Sequence, residues 1–333
     1  MSPKRPPPPE ATLAGADLPD DDMVNARTTE IQVAISIGPR LKDRPVLVLV
    51  SGVDAGRVFS LDHVDTLIGR APDCGVRIDD VGISRRHARV RRQKAGAVLI
   101  EDLGSTNGVY VNGERMDRGP LASGDQLQIG PNITLRFSMI DPSEEALARQ
   151  LFDSSTRDAL TRAFNRKYLM ARLNAEVAYA ARHRTRMGLI LFDLDHFKKT
   201  NDTHGHIAGD TVLHGVAAMV ARLIRTEDVF ARYGGEEFVV LVRGIPHSNV
   251  ARFAERMRKG VAELSIPWTP TALTARISVG VASLDEGTGD LAAPGPAAAD
   301  EAVPAVAGEG LLKRADARLY RAKEAGRDRV VAD

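Results

Sequence analysis

"MGLILFDLD" (Met187–Asp195) is an uninterrupted apolar run that ends in two carboxylates. Such a run reads as a buried strand, and its polar end marks where the chain leaves the sheet. Helical periods surround it. Leu169, Leu173 and Val177 share one helix face, and Val216, Met219, Val220 and Leu223 another. Phe253, Met257 and Leu264 mark a third helix, and Leu312, Ala315, Leu319 and Ala322 a last one. Between them lie a hairpin, "VFARYGGEEFVVLV" (Val229–Val242), and strands at Thr274–Ala282 and Arg329–Val331. This alternation predicts an α/β domain over residues 158–333. It is interrupted by a Gly/Ala/Pro stretch without period, read as a flexible surface insertion at about 285–310.

Upstream the pattern changes. Residues 45–140 hold short strands at Val46–Val50 and in "GRVFSL", "TLIGR", "GVRID", "HARVRR", "AVLIEDL", "GVYVNGE", "QLQIG" and "ITLRFS". Turn signals separate them, so this part is expected to be an all-β sandwich. Residues 141–157 turn helical and form a linker, with Ser143 available as a cap and Glu145 in the first turn. Residues 1–44, rich in Pro, Asp and Ala, lack the apolar content for a core and are expected to be disordered.

The 333 residues are 43% apolar and carry 45 basic and 44 acidic side chains, a formal charge of +1. Neither nucleic acid nor an anionic membrane is implied as a partner. The single cysteine, Cys74, excludes an intrachain disulfide framework and fits a reducing compartment. No run approaches the ~20 apolar residues of a membrane span, and the first residues lack a secretory core. A cytoplasmic location is expected.

"RYGGEEF" (Arg232–Phe238) sets two glycines before two glutamates and an apolar strand. Paired glycines suit a tight turn because they accept positive φ. Adjacent glutamates repel each other and have poor strand propensity, so they need another reason to be there. If this hairpin lies beside Met187–Asp195, Glu236 and Asp193 converge at the end of the sheet. Hard oxygen ligands with room for water and phosphate suit Mg²⁺. On spacing alone, Asp193 and Asp195 could equally cap a loop.

The motifs together resemble a GGDEF-domain diguanylate cyclase. They are "RDALTRAFNRKYL" (Arg157–Leu169), "FDLDHFKKTNDTHGHIAGDTVL" from Phe192, "GGEEF" (Gly234–Phe238) and "ADARLYRAKEAGRDRV" (Ala315–Val330). The resemblance implies a palm-like, nucleotidyl-cyclase-like fold and condensation of two GTP into cyclic di-GMP. By position, Asp193, Glu236 and the Leu194 carbonyl bind Mg²⁺ or Mn²⁺, two ions per active site, and Glu237 completes the catalytic set. Lys198, Lys323 and Arg327 neutralise the triphosphate, although a solvated helix face is the ordinary reading of Lys323 and Arg327. Asn201 and Asp210 read guanine; a carboxylate accepts guanine's N1–H and N2–H but repels the lone pair at adenine N1. Asp328 stands where the family usually has Asn, and its charge beside Arg327 is expected to weaken phosphate binding slightly.

Each half-site of that family holds one nucleotide, so catalysis implies a homodimer. "RTED" (Arg225–Asp228) resembles the family's inhibitory product site, where cyclic di-GMP binds, with Arg256 as the second arginine supplied across the inhibited dimer. A helix-terminal Arg–Asp ion pair is the alternative.

In the sandwich, "IGRAPDCGVRIDDVGISRRHARV" (Ile68–Val90) and "EDLGSTNGVYVNGE" (Glu101–Glu114) resemble a forkhead-associated (FHA) domain, a reader of phosphothreonine peptides. By position, Arg70 and Ser84 bind the phosphate, Arg85 and Thr106 assist, and Asn107 holds the peptide backbone. His87 is assigned a structural role, and Gly69 and Gly108 serve the backbone. The basic run Ser84–Lys94 alternates with Ala88 and Val90, which suits a solvated strand face better than nucleic acid. Thr28, with Ile31 three residues on, is a candidate phosphosite for a Ser/Thr kinase, to be bound by this domain within the chain or between chains. The main rival reading is a catalytically silent GGDEF adaptor that binds cyclic di-GMP; the intact Asp193, Glu236 and Glu237 argue against it. A cyclase with a mixed dinucleotide product is disfavoured by Asp210.

Overall fold

Among the described residues, eleven short strands come first: β1 (Arg44–Leu49), β2 (Val58–Ser60), β3 (Asp65–Gly69), β4 (Val76–Arg77), β5 (Ala88–Arg92), β6 (Val98–Asp102), β7 (Val109–Val111), β8 (Glu114–Arg115), β9 (Arg118–Leu121), β10 (Gln126–Ile129) and β11 (Ile133–Ile140). The computed structural model describes residues 42–80, 82–93, 96–286 and 302–333, without the side chains of 302–306. The strands form two sheets, ordered β2-β1-β11-β10-β7-β8 and β4-β3-β5-β6-β9. Leu47, Leu127 and Leu135 of the first meet Ile68, Val90 and Ile100 of the second in one buried cluster, as a sandwich requires. In β5, Ala88 and Val90 point into that core. Strand β9 is absent from the sequence reading. Its Gly119 and Pro120 are weak strand formers, and Pro is tolerated here because β9 is an edge strand, paired only with β6.

Helix α1 (Pro142–Thr156) follows. Its cap is Asp141, not Ser143: Asp141 Oδ1 accepts from the backbone N–H of Ser143 and Glu144 at 2.7 and 3.0 Å. Glu144 reaches back to the N–H of Asp141 and closes a capping box.

The α/β half comprises α2 (Arg166–His183), β12 (Met187–Leu194), α3 (Phe197–His204), α4 (His206–Leu223), β13 (Val229–Arg232), β14 (Glu237–Arg243), α5 (His247–Ala262), β15 (Ile277–Ser283), α6 (Ala302–Glu324) and β16 (Val330–Val331). The sheet order is β13-β14-β12-β15-β16, antiparallel except for β15–β16. β12 is central and buried at every residue. Its period of two sends Ile190, Phe192 and Leu194 into a cluster with α4 and α5, and Leu189 and Leu191 into one with α2 and α6. Truncating such a residue to Ala would cost about 2–5 kcal/mol.

Leu264 lies beyond the end of α5, packed on the core from the following loop. The stretch 285–310 is not irregular throughout: α6 begins at Ala302, since an Ala-rich segment favours helix even without an obvious apolar stripe. Residues 287–301, like Thr28 and the rest of residues 1–41, lie outside the described residues. Among the described residues, no helix is long and apolar enough to cross a membrane.

Candidate active site

The register of the sheet builds the site. Asp193 of β12 pairs with Glu237 of β14, and the Leu194 N–H donates to the Glu236 carbonyl at 3.3 Å. Residues opposed in an antiparallel pair share a face, so Asp193 and Glu237 both face α6. From there Lys323 Nζ approaches Asp193 Oδ2 at 2.9 Å. Asp193 is 7% exposed, and Glu236 and Glu237 are half-buried.

Burial pushes all three carboxyls above their usual range, and mutual repulsion adds to it: Asp193 acts on both glutamates, and Asp195 on Asp193. The nearby Lys323 charge offsets part of this.

The two glycines play a different part from the one expected. Neither Gly234 nor Gly235 is among the positive-φ residues. A Cβ on Gly234 would lie 2.8 Å from Glu237 Oε2, so this glycine makes room for the carboxylate. The turn is braced by Arg232, whose Nη2 and Nε donate to the Gly235 carbonyl at 2.7 and 3.0 Å. Arg232 Nη1 also donates to Asp158 Oδ1 at 3.1 Å. Asp158 in turn accepts from the backbone and hydroxyl of Thr161. Sequence reasoning quoted the Asp158 motif without giving it or Arg232 a role. The signal was there, an Asp and a Thr at capping spacing ahead of a helix.

Asn201 and Asp210 sit on α3 and α4, which pack on each other. Among the described residues, Asn201 Oδ1 is buried without a hydrogen-bond partner, and a Cβ on Gly209 would lie 1.9 Å from it. Asn201 is thus held against the residue that precedes the exposed Asp210. Lys198 is exposed on α3. Arg327 is exposed in a left-handed turn with φ 64°, near enough to Asp193 for its charge to be felt.

Asp328 departs from the expectation of a bare charge beside Arg327. Its carboxylate accepts from Arg258 Nη1 at 2.6 Å and pairs with Arg276 Nε at 3.3 Å. Its backbone N–H donates to Asp195 Oδ2 at 3.0 Å. Two arginines therefore offset the extra negative charge.

Metal fit follows from the donor chemistry. Among the described residues, no three His, Cys, Asp or Glu side chains are gathered to hold an ion. Mg²⁺, however, commonly takes only one or two protein carboxylates, with phosphate and water filling its shell. Asp193 and Glu236 supply hard oxygens in a locally repulsive cluster, which suits a divalent cation.

The second expected site is also brought together. The Arg225 N–H donates to Asp228 Oδ2 at 2.9 Å, and burial raises the Asp228 carboxyl. Arg225, Asp228 and Arg256 line one cleft of about 380 Å³. Arg256 is thus already present from the same chain, whereas the resemblance implies its supply from a second copy. Arg243 and Arg252, not anticipated, share the lining.

In the sandwich, Ser84 Oγ accepts from the Thr106 N–H at 3.1 Å, and Asn107 Nδ2 donates to the Gly82 carbonyl at 2.8 Å. Ser84 and Arg85 line an open cleft with Arg86, and Arg70 is exposed. His87 is fully buried. Its Nδ1 accepts from the Ser84 N–H at 3.1 Å, so Nε2 carries the proton and donates to the Gly108 carbonyl at 3.0 Å. It braces two loops at once. Gly69 packs its Cα on the Arg85 carbonyl, where a Cβ would come within 2.3 Å.

The family model described as "Diguanylate cyclase, GGDEF domain" matches residues 155–329, more than half of the chain. The chain belongs to the GGDEF diguanylate cyclase family. An FHA domain model matches residues 66–130, so an FHA domain precedes the GGDEF domain. Diguanylate cyclase DgcP of Pseudomonas aeruginosa is 36% identical over 347 residues, which cover 96% of this chain and 49% of that protein. Probable diguanylate cyclase DgcC of Escherichia coli is 36% identical over 182 residues, 55% of this chain and 44% of that one. The chain thus spans about half the length of these curated relatives. Among solved structures, the coiled coil and GGDEF domain of DgcB from Caulobacter crescentus, in complex with c-di-GMP, is 31% identical. It covers 57% of this chain and 92% of that one, with a TM-score of 0.48.

Proposed function

We propose that this chain is a diguanylate cyclase that joins two GTP molecules into cyclic di-GMP and releases two pyrophosphates. The observation that carries this reading is the pairing of Asp193 with Glu237 across β12 and β14, which sets two carboxylates on one face, with Lys323 on Asp193 and Glu236 next in sequence. Asp193, Glu236 and the Leu194 carbonyl would hold Mg²⁺ or Mn²⁺, two per site, which would supply Lewis-acid polarisation of the α-phosphate and a more acidic 3′-hydroxyl. Lys323, Lys198 and Arg327 take the triphosphate charge. Glu237, whose carboxyl burial raises above its usual range, accepts the 3′-hydroxyl proton. As the 3′-oxygen bonds to the α-phosphorus of the other nucleotide, the bond to pyrophosphate breaks. Asn201 and Asp210 select guanine. Each nucleotide must attack the other, so two copies face each other in a homodimer.

Two controls belong to the same reading. Cyclic di-GMP inhibits by binding at Arg225, Asp228 and Arg256. The FHA domain reads a phosphothreonine peptide through Arg70, Ser84, Arg85, Thr106 and Asn107. Its source is the chain's own Thr28 or a partner protein, after a Ser/Thr kinase has acted.

The test is direct. Purified protein is incubated with GTP, ATP or both, with Mg²⁺ or Mn²⁺, and the products are identified by mass spectrometry. Cyclic di-GMP from GTP alone is expected. A mixed dinucleotide would move the reading to another cyclase, and unchanged GTP to a binding module.

A further inference from the structure

The Arg225–Asp228 turn has two faces. One lines the arginine-rich cleft already described. The other, Thr226 to Val229, walls a separate cleft of about 330 Å³ whose opposite side is the FHA domain, including Arg77 and Asp79. Asp228 and Arg243 belong to both linings. The two domains share one compact unit, Leu41–Asp333.

The FHA domain reaches across at two points behind the turn. Arg77 Nη2 stands 3.8 Å from Glu227 Oε2, and Glu227 lies inside the Arg225–Asp228 motif itself. Asp79 accepts a hydrogen bond from Arg243 Nη1, while Arg243 Nη2 donates to the buried Glu176 of α2. The backbone N–H of Arg243 lies close enough to the Asp228 carboxylate to favour its charged form, and the two residues line both clefts together. A half-exposed pair such as Arg77–Glu227 is weak alone. The Arg243 guanidinium, 17% exposed and held between two acids, is the firmer grip.

We propose that the FHA domain is part of the scaffold of the product site: Arg77 and Asp79 hold the Arg225–Asp228 turn from behind, through Glu227 and Arg243, and thereby set its affinity for the cyclic dinucleotide. This rests on the reading of that turn as the product site. Asp79 lies five residues before Ser84, in the same connection between β4 and β5 that Asn107 fastens at Gly82. A peptide that shifts this connection shifts Asp79, and so acts on feedback inhibition instead of on chemistry.

The test uses the full chain carrying Arg77→Ala with Asp79→Ala, with Asp79→Glu as the conservative variant. Binding of cyclic di-GMP is measured by calorimetry, and the half-inhibitory concentration and the initial rate by product assay. The double variant should bind about three- to tenfold more weakly, with an unchanged initial rate, and Asp79→Glu should stay near wild type. Wild-type affinity in the double variant, while Arg225→Ala abolishes binding, would overturn the link and leave the product site standing. Wild-type chain that binds no cyclic di-GMP would overturn both.

Discussion

Asp193 and Glu237 oppose each other across the antiparallel pair β12 and β14, and burial raises both carboxyls, helped by Asp195 beside Asp193 and by Asp193 beside Glu237. A fold seldom assembles such a cluster for stability. Replacing Glu237 by Gln keeps the shape and removes one repelling charge. The variant should unfold at the same temperature as wild type or higher, while cyclic di-GMP formation falls about a hundredfold or more, the scale of general acid–base catalysis. Thermal melts and a product assay check both halves. Gly234→Ala should produce a similar loss by a different route, since its Cβ would press on Glu237 Oε2.

Guanine recognition has its own structural test. Gly209 admits the Asn201 side chain, whose Oδ1 is buried and unpartnered. Gly209→Ala leaves no space for that oxygen and should improve helix propensity in α4. The expected outcome is a KM for GTP raised about tenfold, with a folded protein by circular dichroism. An unchanged KM would separate Asn201 from the base.

Asp158 links pH to the integrity of the turn that carries Glu236 and Glu237. Burial pushes its carboxyl upward, but the Thr161 hydrogen bonds and the Arg232 charge together outweigh this, and the net shift is downward. A depressed carboxyl contributes stability above its unfolded pKa of about 3.9, and that contribution is lost as pH falls through the lower folded value. The melting temperature of wild type should therefore drop below about pH 4. Asp158→Asn should lose about 1–3 kcal/mol at neutral pH and show a flatter acid dependence. Activity at neutral pH should also fall, because the Arg232 guanidinium that braces the Gly235 carbonyl then loses its charged anchor at Nη1.

How much of this was legible in the sequence depends on distance along the chain. The apolar run at β12 and the helix faces of α2, α4 and α6 were readable because their periods are local. The meeting of Asp193 with Glu236 and Glu237 was readable because a hairpin beside a buried strand leaves few arrangements. Other features were not legible. Strand β9 hides behind Gly119 and Pro120, and Gly234 needed the position of Glu237 to explain it. The contact of Asp79 with Arg243 joins residues 164 apart in sequence, with no pattern to announce it.

The FHA reading yields a binding prediction. Arg70 is exposed beside a Ser84–Thr106 pair that His87 holds in place from below. A peptide spanning Ala26–Ile35 with phosphothreonine at Thr28 should bind wild type in fluorescence anisotropy. Arg70→Ala should weaken this at least tenfold, since a charge-assisted contact to phosphate is lost. Equal binding of the plain peptide would end the assignment.

Asp328 tests whether a departure from a family pattern is a defect or a substitution with compensation. An Asn at this position could accept one hydrogen bond from Arg258 but could not offset the charges of Arg258 and Arg276 together. Asp328 is 38% exposed, so solvent screens the pairs and the stability at stake is about 0.5–1 kcal/mol. Asp328→Asn should lower the melting temperature by a few degrees at most. Because the carboxylate is turned toward the two arginines, the same variant should leave the KM for GTP within about twofold. A marked gain in GTP affinity would mean that the charge does reach Arg327 and the triphosphate, as the sequence alone suggested. The backbone N–H of Asp328 anchors on Asp195 whichever side chain is present, so the turn that carries Arg327 stays in place and the comparison isolates the charge.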